Sequence, residues 1–179
     1  LLATTGKEEH RPERAAEFGV GLLAESQWGG RWMGLETPRE GDARGTVHTV
    51  LPARYMRKEF SIGTTPVRRV TAYISGLGNY RLYVNGAEIG SGDVLKPVPS
   101  DYRKTVYYNT YDIPASMLGD STLTVGIVLG PGRYFPMRQH KAAKIPVFGN
   151  PTCRLNLIVE YADGSRRKLV TDDKAGQRV

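Results

Sequence analysis

The carboxylates Glu88, Asp93, Asp101 and Asp112 fall in the most patterned part of this 179-residue chain. Two carboxylates facing one glycosidic bond, one of them held as an acid by a raised pKa, would hydrolyse it. Neither the spacing nor the context of these four marks such a pair. Asp101 precedes a tyrosine-rich run as a turn residue, and Asp112 stands where it would cap a short helix. Ser–His–Asp chemistry has no Gly-x-Ser-x-Gly elbow to start from. Gly76-x-Gly78 lies between two strand-like runs instead of ahead of a helix, so it reads as a turn and not a phosphate loop. His48 has no His, Cys, Asp or Glu at metal-ligand spacing and reads as a solvated loop residue. Cys153 opens an apolar strand and reads as a buried structural thiol, with no second cysteine for an intramolecular disulfide. Taken alone, the chain reads as non-catalytic.

The elements that would position these residues are strands. From Tyr80 to Val84 the residues Tyr80, Leu82 and Val84 point one way and Arg81 and Tyr83 the other, the period of two of a half-buried strand. Asn85-Gly86 follows, a pair that tolerates positive φ and favours a type I′ turn, so Ala87 to Gly90 is the returning strand. Val70, Ala72 and Ile74 alternate before it, and Gly76-Leu77-Gly78-Asn79 reads as a second turn. Thr105 to Tyr111 is rich in tyrosine and β-branched residues, and Leu123, Val125, Ile127 and Leu129 alternate again. Met56, Phe60 and Ile62 share a core face within Tyr55–Ile62. Leu155, Leu157, Val159 and Tyr161 share another, with Asp163-Gly164 turning the chain back through Arg166 to Thr171. About ten short strands with Gly, Asn-Gly and Asp-Gly turns predict an all-β fold, an antiparallel sandwich or jelly roll. Asp112 to Gly119 is the one short helical turn expected, with Asp112 as its cap. Tyr80, Leu82, Val84, Leu123, Val125, Ile127, Leu155 and Leu157 are the predicted core. Gly130 to Asn150, with Arg133, Arg138, His140, Lys141 and Lys144, is the longest irregular segment, and long loops on β scaffolds often carry function.

Twenty-one Gly and eleven Pro with 40% hydrophobic residues agree with a turn-rich β protein. A formal net charge of +7 raises nucleic-acid binding as a function class. The basic residues are scattered singly or in pairs, such as Arg68-Arg69, which fits a solvated face better, and no nucleic-acid partner is expected. No run approaches the roughly eighteen apolar residues of a membrane span. Leu1-Leu2-Ala3-Thr4-Thr5 lacks the basic start and apolar core of a signal peptide. Leu1 to Arg14 has no steady apolar period and reads as a flexible arm, whereas Phe18, Val20 and Leu22 alternate like one strand.

The ordered series Ile74-Ser75-Gly76-Leu77-Gly78-Asn79-Tyr80, Val84-Asn85-Gly86, Val94-Leu95-Lys96-Pro97, Asp101-Tyr102, Tyr108-Asn109-Thr110-Tyr111-Asp112 and Gly130-Pro131-Gly132-Arg133-Tyr134 resembles the N-terminal β-domain of bacterial α-L-rhamnosidases, glycoside hydrolase family 78. The likeness runs from about Trp28 to Asp172. It implies a division into residues 1–25, an arm plus the last strand of a preceding fibronectin-like module; 26–174, the β-sandwich domain, opened by Gly30-Arg31-Trp32-Met33-Gly34; and 175–179, the start of a linker. It further implies that the catalytic carboxylates lie in a helical barrel later in the polypeptide, which the chain stops before. This domain would then be a non-catalytic module of an α-L-rhamnosidase-like hydrolase, orienting that barrel. Export to the periplasm or the extracellular space is implied as well. The alternative the resemblance carries is a carbohydrate-binding module that takes L-rhamnose, or a rhamnose-containing glycan, with the help of calcium. Its site would be Asn79, Asp93, Tyr102, Arg133 and Tyr134, with Asp93 the calcium ligand and no other cofactor. The chain departs from the family's pattern in two places. Val98-Pro99 stands where an aromatic follows the Val-Leu-x-Pro motif, and Gly92 and Val94 flank Asp93 where a carboxylate–amide pair is expected.

Overall fold

The computed structural model describes residues 19–34, 51–119, 121–135 and 148–172, together with the backbone of two short strands ahead of them. Phe18, His48, Arg138, His140, Lys141 and Lys144 lie outside the described residues, as do the segments 37–50 and 173–179. Within the stretch expected to be an arm, Ala3–Thr5 (β1) and Glu8–His10 (β2) pair antiparallel.

The expected two-sheet antiparallel sandwich is the observed fold. Its strands are Met33–Gly34 (β3), Arg54–Ser61 (β4), Val67–Leu77 (β5), Asn79–Val84 (β6), Ala87–Ile89 (β7), Tyr108–Ile113 (β8), Thr122–Gly130 (β9), Thr152–Tyr161 (β10) and Arg166–Val170 (β11). One sheet has the order β11-β10-β5-β8, with β3 pairing to β10 where β11 no longer reaches it; the other has the order β4-β9-β6-β7. The period-two alternation of each strand sends its apolar set between the sheets. Val70, Ala72 and Ile74 of β5 and Leu155, Leu157 and Val159 of β10 face Leu82 and Val84 of β6 and Leu123, Val125, Ile127 and Leu129 of β9. All eight residues predicted as core are buried. A fully buried Leu or Val in such a layer contributes about 1.5–3 kcal/mol.

Asn85 (φ 46°) and Gly86 (φ 87°) both adopt the left-handed conformation, so the β6–β7 turn is the two-residue type its dipeptide favours. The second expected turn is different. Gly76 and Leu77 belong to β5 and Asn79 to β6, which leaves Gly78 alone between them. At φ 129°, with a Cβ there falling 2.4 Å from the Gly130 carbonyl, only glycine fits. The strands it joins are in different sheets, so the residue carries the chain across the sandwich and makes no hairpin.

Asp112 is not a helix cap. It is a residue of β8, and the short 3-10 turn at Ala115–Met117 has Pro114 at its N-cap with no side-chain bond. A second 3-10 turn spans Glu25–Gln27. Gly19 to Leu23 forms no strand; the segment lies over the outward face of the five-stranded sheet, where Leu22 and Val20 carbonyls accept the hydroxyls of Tyr108 (3.1 Å) and Tyr73 (3.5 Å). Its alternation has no pairing partner to act on. Among the described residues, no helix is long and apolar enough to cross a membrane.

Candidate functional site

Four of the five predicted site residues gather at one end of the sandwich. Asn79 opens β6 opposite Gly130, the last residue of β9, and the loop that follows β9 folds back onto it. Gly132 in that loop has φ 50°, and a Cβ there would sit 2.9 Å from Asn79, so glycine sets how closely the loop approaches. The next residues are Arg133, which is exposed, and Tyr134, which is half-buried. Tyr134 stacks on Phe148 with centroids 5.7 Å apart, and its carbonyl accepts the Phe148 amide at 3.1 Å. Tyr102 stands edge-on to both rings, at 5.1 and 5.2 Å. Its position follows from the turn at Asp101, whose carbonyl accepts the amides of Lys104 and Thr105 and whose carboxylate takes Arg103. Burial raises the Tyr102 phenol above its ordinary range, against the lowering effect of Arg133. Phe148 completes this aromatic set and was not expected; it follows a stretch with no periodicity to single it out.

Asp93 belongs to another arrangement. Its Oδ2 accepts the Tyr111 hydroxyl at 2.9 Å, and Gly90 (φ 65°) brings the loop so close that a Cβ would lie 2.4 Å from the Tyr111 ring. Tyr80 continues the group inward, donating to Asn109 Oδ1 at 2.8 Å. Burial, and then the Tyr111 hydroxyl beside it, hold the Tyr80 phenol far above its ordinary value. Burial likewise pushes Tyr111 up to about 12, the Tyr80 bond opposing and Asp93 adding. Calcium takes six to eight oxygens, several of them from carboxylates. The donors around Asp93 do not fit that need. It is a single carboxylate already accepting a phenol, and among the described residues no three His, Cys, Asp or Glu converge.

The other carboxylates are held by the fold itself. Asp112 takes Arg69 in a bidentate pair at 2.7–3.0 Å and a 3.3 Å bond from Thr71. Glu88 accepts the buried Lys96 ammonium at 2.8 Å, and Glu160 pairs with Arg166 at 2.8 Å. Glu25 pairs with Arg154, Glu59 with Arg57 and Asp172 with Lys58; Asp163 takes the amide and hydroxyl of Ser165. Asn85 is a clamp on its own turn, bonded to the Met117 carbonyl and the Thr124 amide. Cys153 is fully buried, and burial pushes its thiol up to about 12, as a structural thiol requires.

The anchoring of residues 19–34 was not legible in advance. Asn156, buried on the outer face of β10, accepts the Gly29 and Gly30 amides and donates to the Gln27 carbonyl. Beside it the Arg154 guanidinium lies 4.2 Å from the centre of the Trp28 ring and 4.7 Å from that of Trp32. Between this segment and the sheet runs a groove floored by Arg69, Thr71, Thr110, Asp112, Arg166 and Lys168.

Fold and site together define a β-sandwich module whose described carboxylates are each engaged by a structural partner. Its residues 65–176 match the family model described as the alpha-L-rhamnosidase N-terminal domain, and the chain belongs to that family. An alpha-L-rhamnosidase of Formosa agariphila is 31% identical over 173 residues, covering 87% of this chain and 18% of that protein. Among solved structures, the α-L-rhamnosidase of Aspergillus terreus superposes with a TM-score of 0.72 at 26% identity, over 86% of this chain and 17% of the other. The Streptomyces avermitilis α-L-rhamnosidase, solved with L-rhamnose, gives 0.58 at 30% identity over 67% and 11%. The chain thus spans less than a fifth of each of these relatives.

Proposed function

We propose that this chain is a non-catalytic module of a larger α-L-rhamnosidase-type glycoside hydrolase, exported to the periplasm or beyond, whose role is to orient a separate catalytic domain. The observation that supports it most is the state of the carboxylates. A glycosidase needs one free to protonate the leaving oxygen and one free to attack or to activate water; here each described one is tied into an ion pair, a turn or, for Asp93, a bond from the Tyr111 phenol. The surface offered to a neighbouring domain is the β7–β8 loop, where Val94, Leu95 and Val98 are exposed. The direct test is an aryl α-L-rhamnoside assay of the purified chain, with no turnover expected. Turnover abolished by one Asp or Glu substitution in this chain would overturn the reading.

A second reading, contact with a rhamnose-containing glycan, is favoured by the way Asn79, Tyr102, Arg133 and Tyr134 converge on one end of the sandwich. Ring faces and an exposed guanidinium are what sugar recognition uses. Here two of the ring faces are occupied by each other. Calorimetry with L-rhamnose, and with the Tyr102→Ala variant, separates this from a purely orienting role.

A further inference from the structure

We infer that the groove beneath residues 19–27, on the outer face of the five-stranded sheet, binds an acidic oligosaccharide of the uronate type. Its volume of about 1210 Å³ exceeds the roughly 300–1,000 Å³ of pockets that take drug-sized ligands, so it has room for several sugar rings. The floor is the polar side of β5, β8, β10 and β11, and the roof is Gly19 to Leu22 with Ser26 and Gln27. Tyr108, Asn156 and Lys168 anchor that roof through the Leu22 and Gln27 carbonyls. The groove is therefore built by tertiary contacts and is not a gap under a loose tail.

Its charge selects the ligand. Among the described residues, five cationic residues line it against two carboxylates, Asp112 and Glu160. Asp112 already engages Arg69, and Glu160 engages Arg166 and, at 3.9 Å, Arg68. Among the described residues Lys168 bonds the neutral Gln27 carbonyl, so its charge is not offset by an acid, whereas the Arg167 guanidinium reaches the Ser61 carbonyl of the facing sheet. An excess of positive charge in a concave, partly dry channel focuses potential and favours an anion. Guanidinium and ammonium groups recognise carboxylates through short charge-assisted bonds. Thr71 and Thr110 add hydroxyls of the kind that meet sugar hydroxyls. Among the described residues the groove's aromatic is Tyr73, which is buried in the floor and offers no open face for the bases of a nucleic acid to stack on. The choice of a sugar rests on the reading of this chain as a glycosidase module, whereas the demand for negative charge rests on the groove alone.

The test is calorimetry on the full chain with tetragalacturonate, neutral cellotetraose, inorganic sulfate and a short uridine oligomer. Tetragalacturonate should bind, more weakly as salt is added, and the Arg166→Ala/Lys168→Ala variant should bind it at least about tenfold less tightly. Lys168 also anchors the roof through the Gln27 carbonyl, so the single variant Arg166→Ala, which leaves that anchor in place, is titrated beside it and should also bind more weakly than the parent. The control variant Arg103→Ala/Lys104→Ala removes the same charge elsewhere and should bind as the parent does. No heat with tetragalacturonate, equal losses in the two double variants, or equal binding of cellotetraose overturns the proposal. So does tighter binding of sulfate or of the uridine oligomer. The α-L-rhamnoside assay is independent of this titration, so the two readings fail separately.

Discussion

The side-chain oxygen of Asn156 accepts the backbone amide of Gly30 at 2.9 Å, across 126 residues of sequence. The same oxygen takes the Gly29 amide at 3.1 Å, and the Asn156 nitrogen donates to Gln27 at 3.2 Å. One buried carboxamide therefore binds the segment ahead of β3 to the face of β10. Asn156→Leu keeps the branched shape but takes the acceptor from two amides, while the Gln27 carbonyl keeps its bond from Lys168; the cost is about 1–3 kcal/mol for each group that water cannot reach. Gly29 is exposed enough to be rehydrated, which leaves the Gly30 amide, so a net loss of about 1–3 kcal/mol is expected in denaturant melts. The Trp28 fluorescence should change before the main transition as the segment lifts. A variant as stable as the parent would mean that the segment adds nothing to the fold.

Leu82 is completely buried between the sheets. Leu82→Ala should lower stability by about 2–5 kcal/mol, the range for a leucine deleted from a packed core. A loss below about 1 kcal/mol would show that this part of the sandwich is loosely packed.

Acid should weaken the domain through its ion pairs. The hydrogen bond from Lys96 holds the Glu88 carboxylate below its ordinary value of 4.5, and Arg103 and Arg154 do the same for Asp101 and Glu25. A carboxyl whose folded pKa is lowered stabilises fully above its unfolded pKa, and that stabilisation is lost as the pH falls through the folded one. The melting temperature should hold from about pH 7 to 5 and then decline below about 4.5. Lys96 is 5% exposed, so protonating Glu88 strips a buried ammonium of its counter-charge. Glu88→Gln should be less stable than the parent at pH 7 and show a shallower decline in acid. Parallel curves would assign the acid sensitivity to other groups.

Lys58 points inward between Met56 and Phe60 on the edge strand β4 and reaches Asp172 past β11, joining the two sheets. A charge on the inner side of an edge strand also discourages another chain from pairing there. Lys58→Val should therefore change monomer stability little, by less than about 1 kcal/mol, while promoting concentration-dependent association. Light scattering over a concentration series distinguishes this from a role in stability alone, which would lower the melting temperature and leave the protein monomeric.

The local patterns of this sequence determined its strands and much of its core. Tyr80–Val84, Leu123–Leu129 and Leu155–Tyr161 alternate with period two, and a buried face allows only one register for each. Asn85-Gly86 specified its turn because the positive φ of both residues is an intrinsic preference. Tyr102, Arg133 and Tyr134 could be singled out through motifs, yet their meeting with Asn79 and Phe148 depended on the loop after β9 folding back onto β6. Only the tertiary structure decided that Gly78 changes sheets, because that depends on the Gly130 carbonyl lying across its Cα. Asp112 has the composition of a cap, but Arg69 on the neighbouring strand, 43 residues earlier, claims it. The groove under residues 19–27 is the strongest case. Its cations are scattered along the chain and look like a solvated surface, until antiparallel pairing of β11, β10, β5 and β8 sets them side by side and Asn156 fastens a roof above them. Period and turn chemistry act between neighbours in sequence, whereas these contacts form only after distant strands have paired.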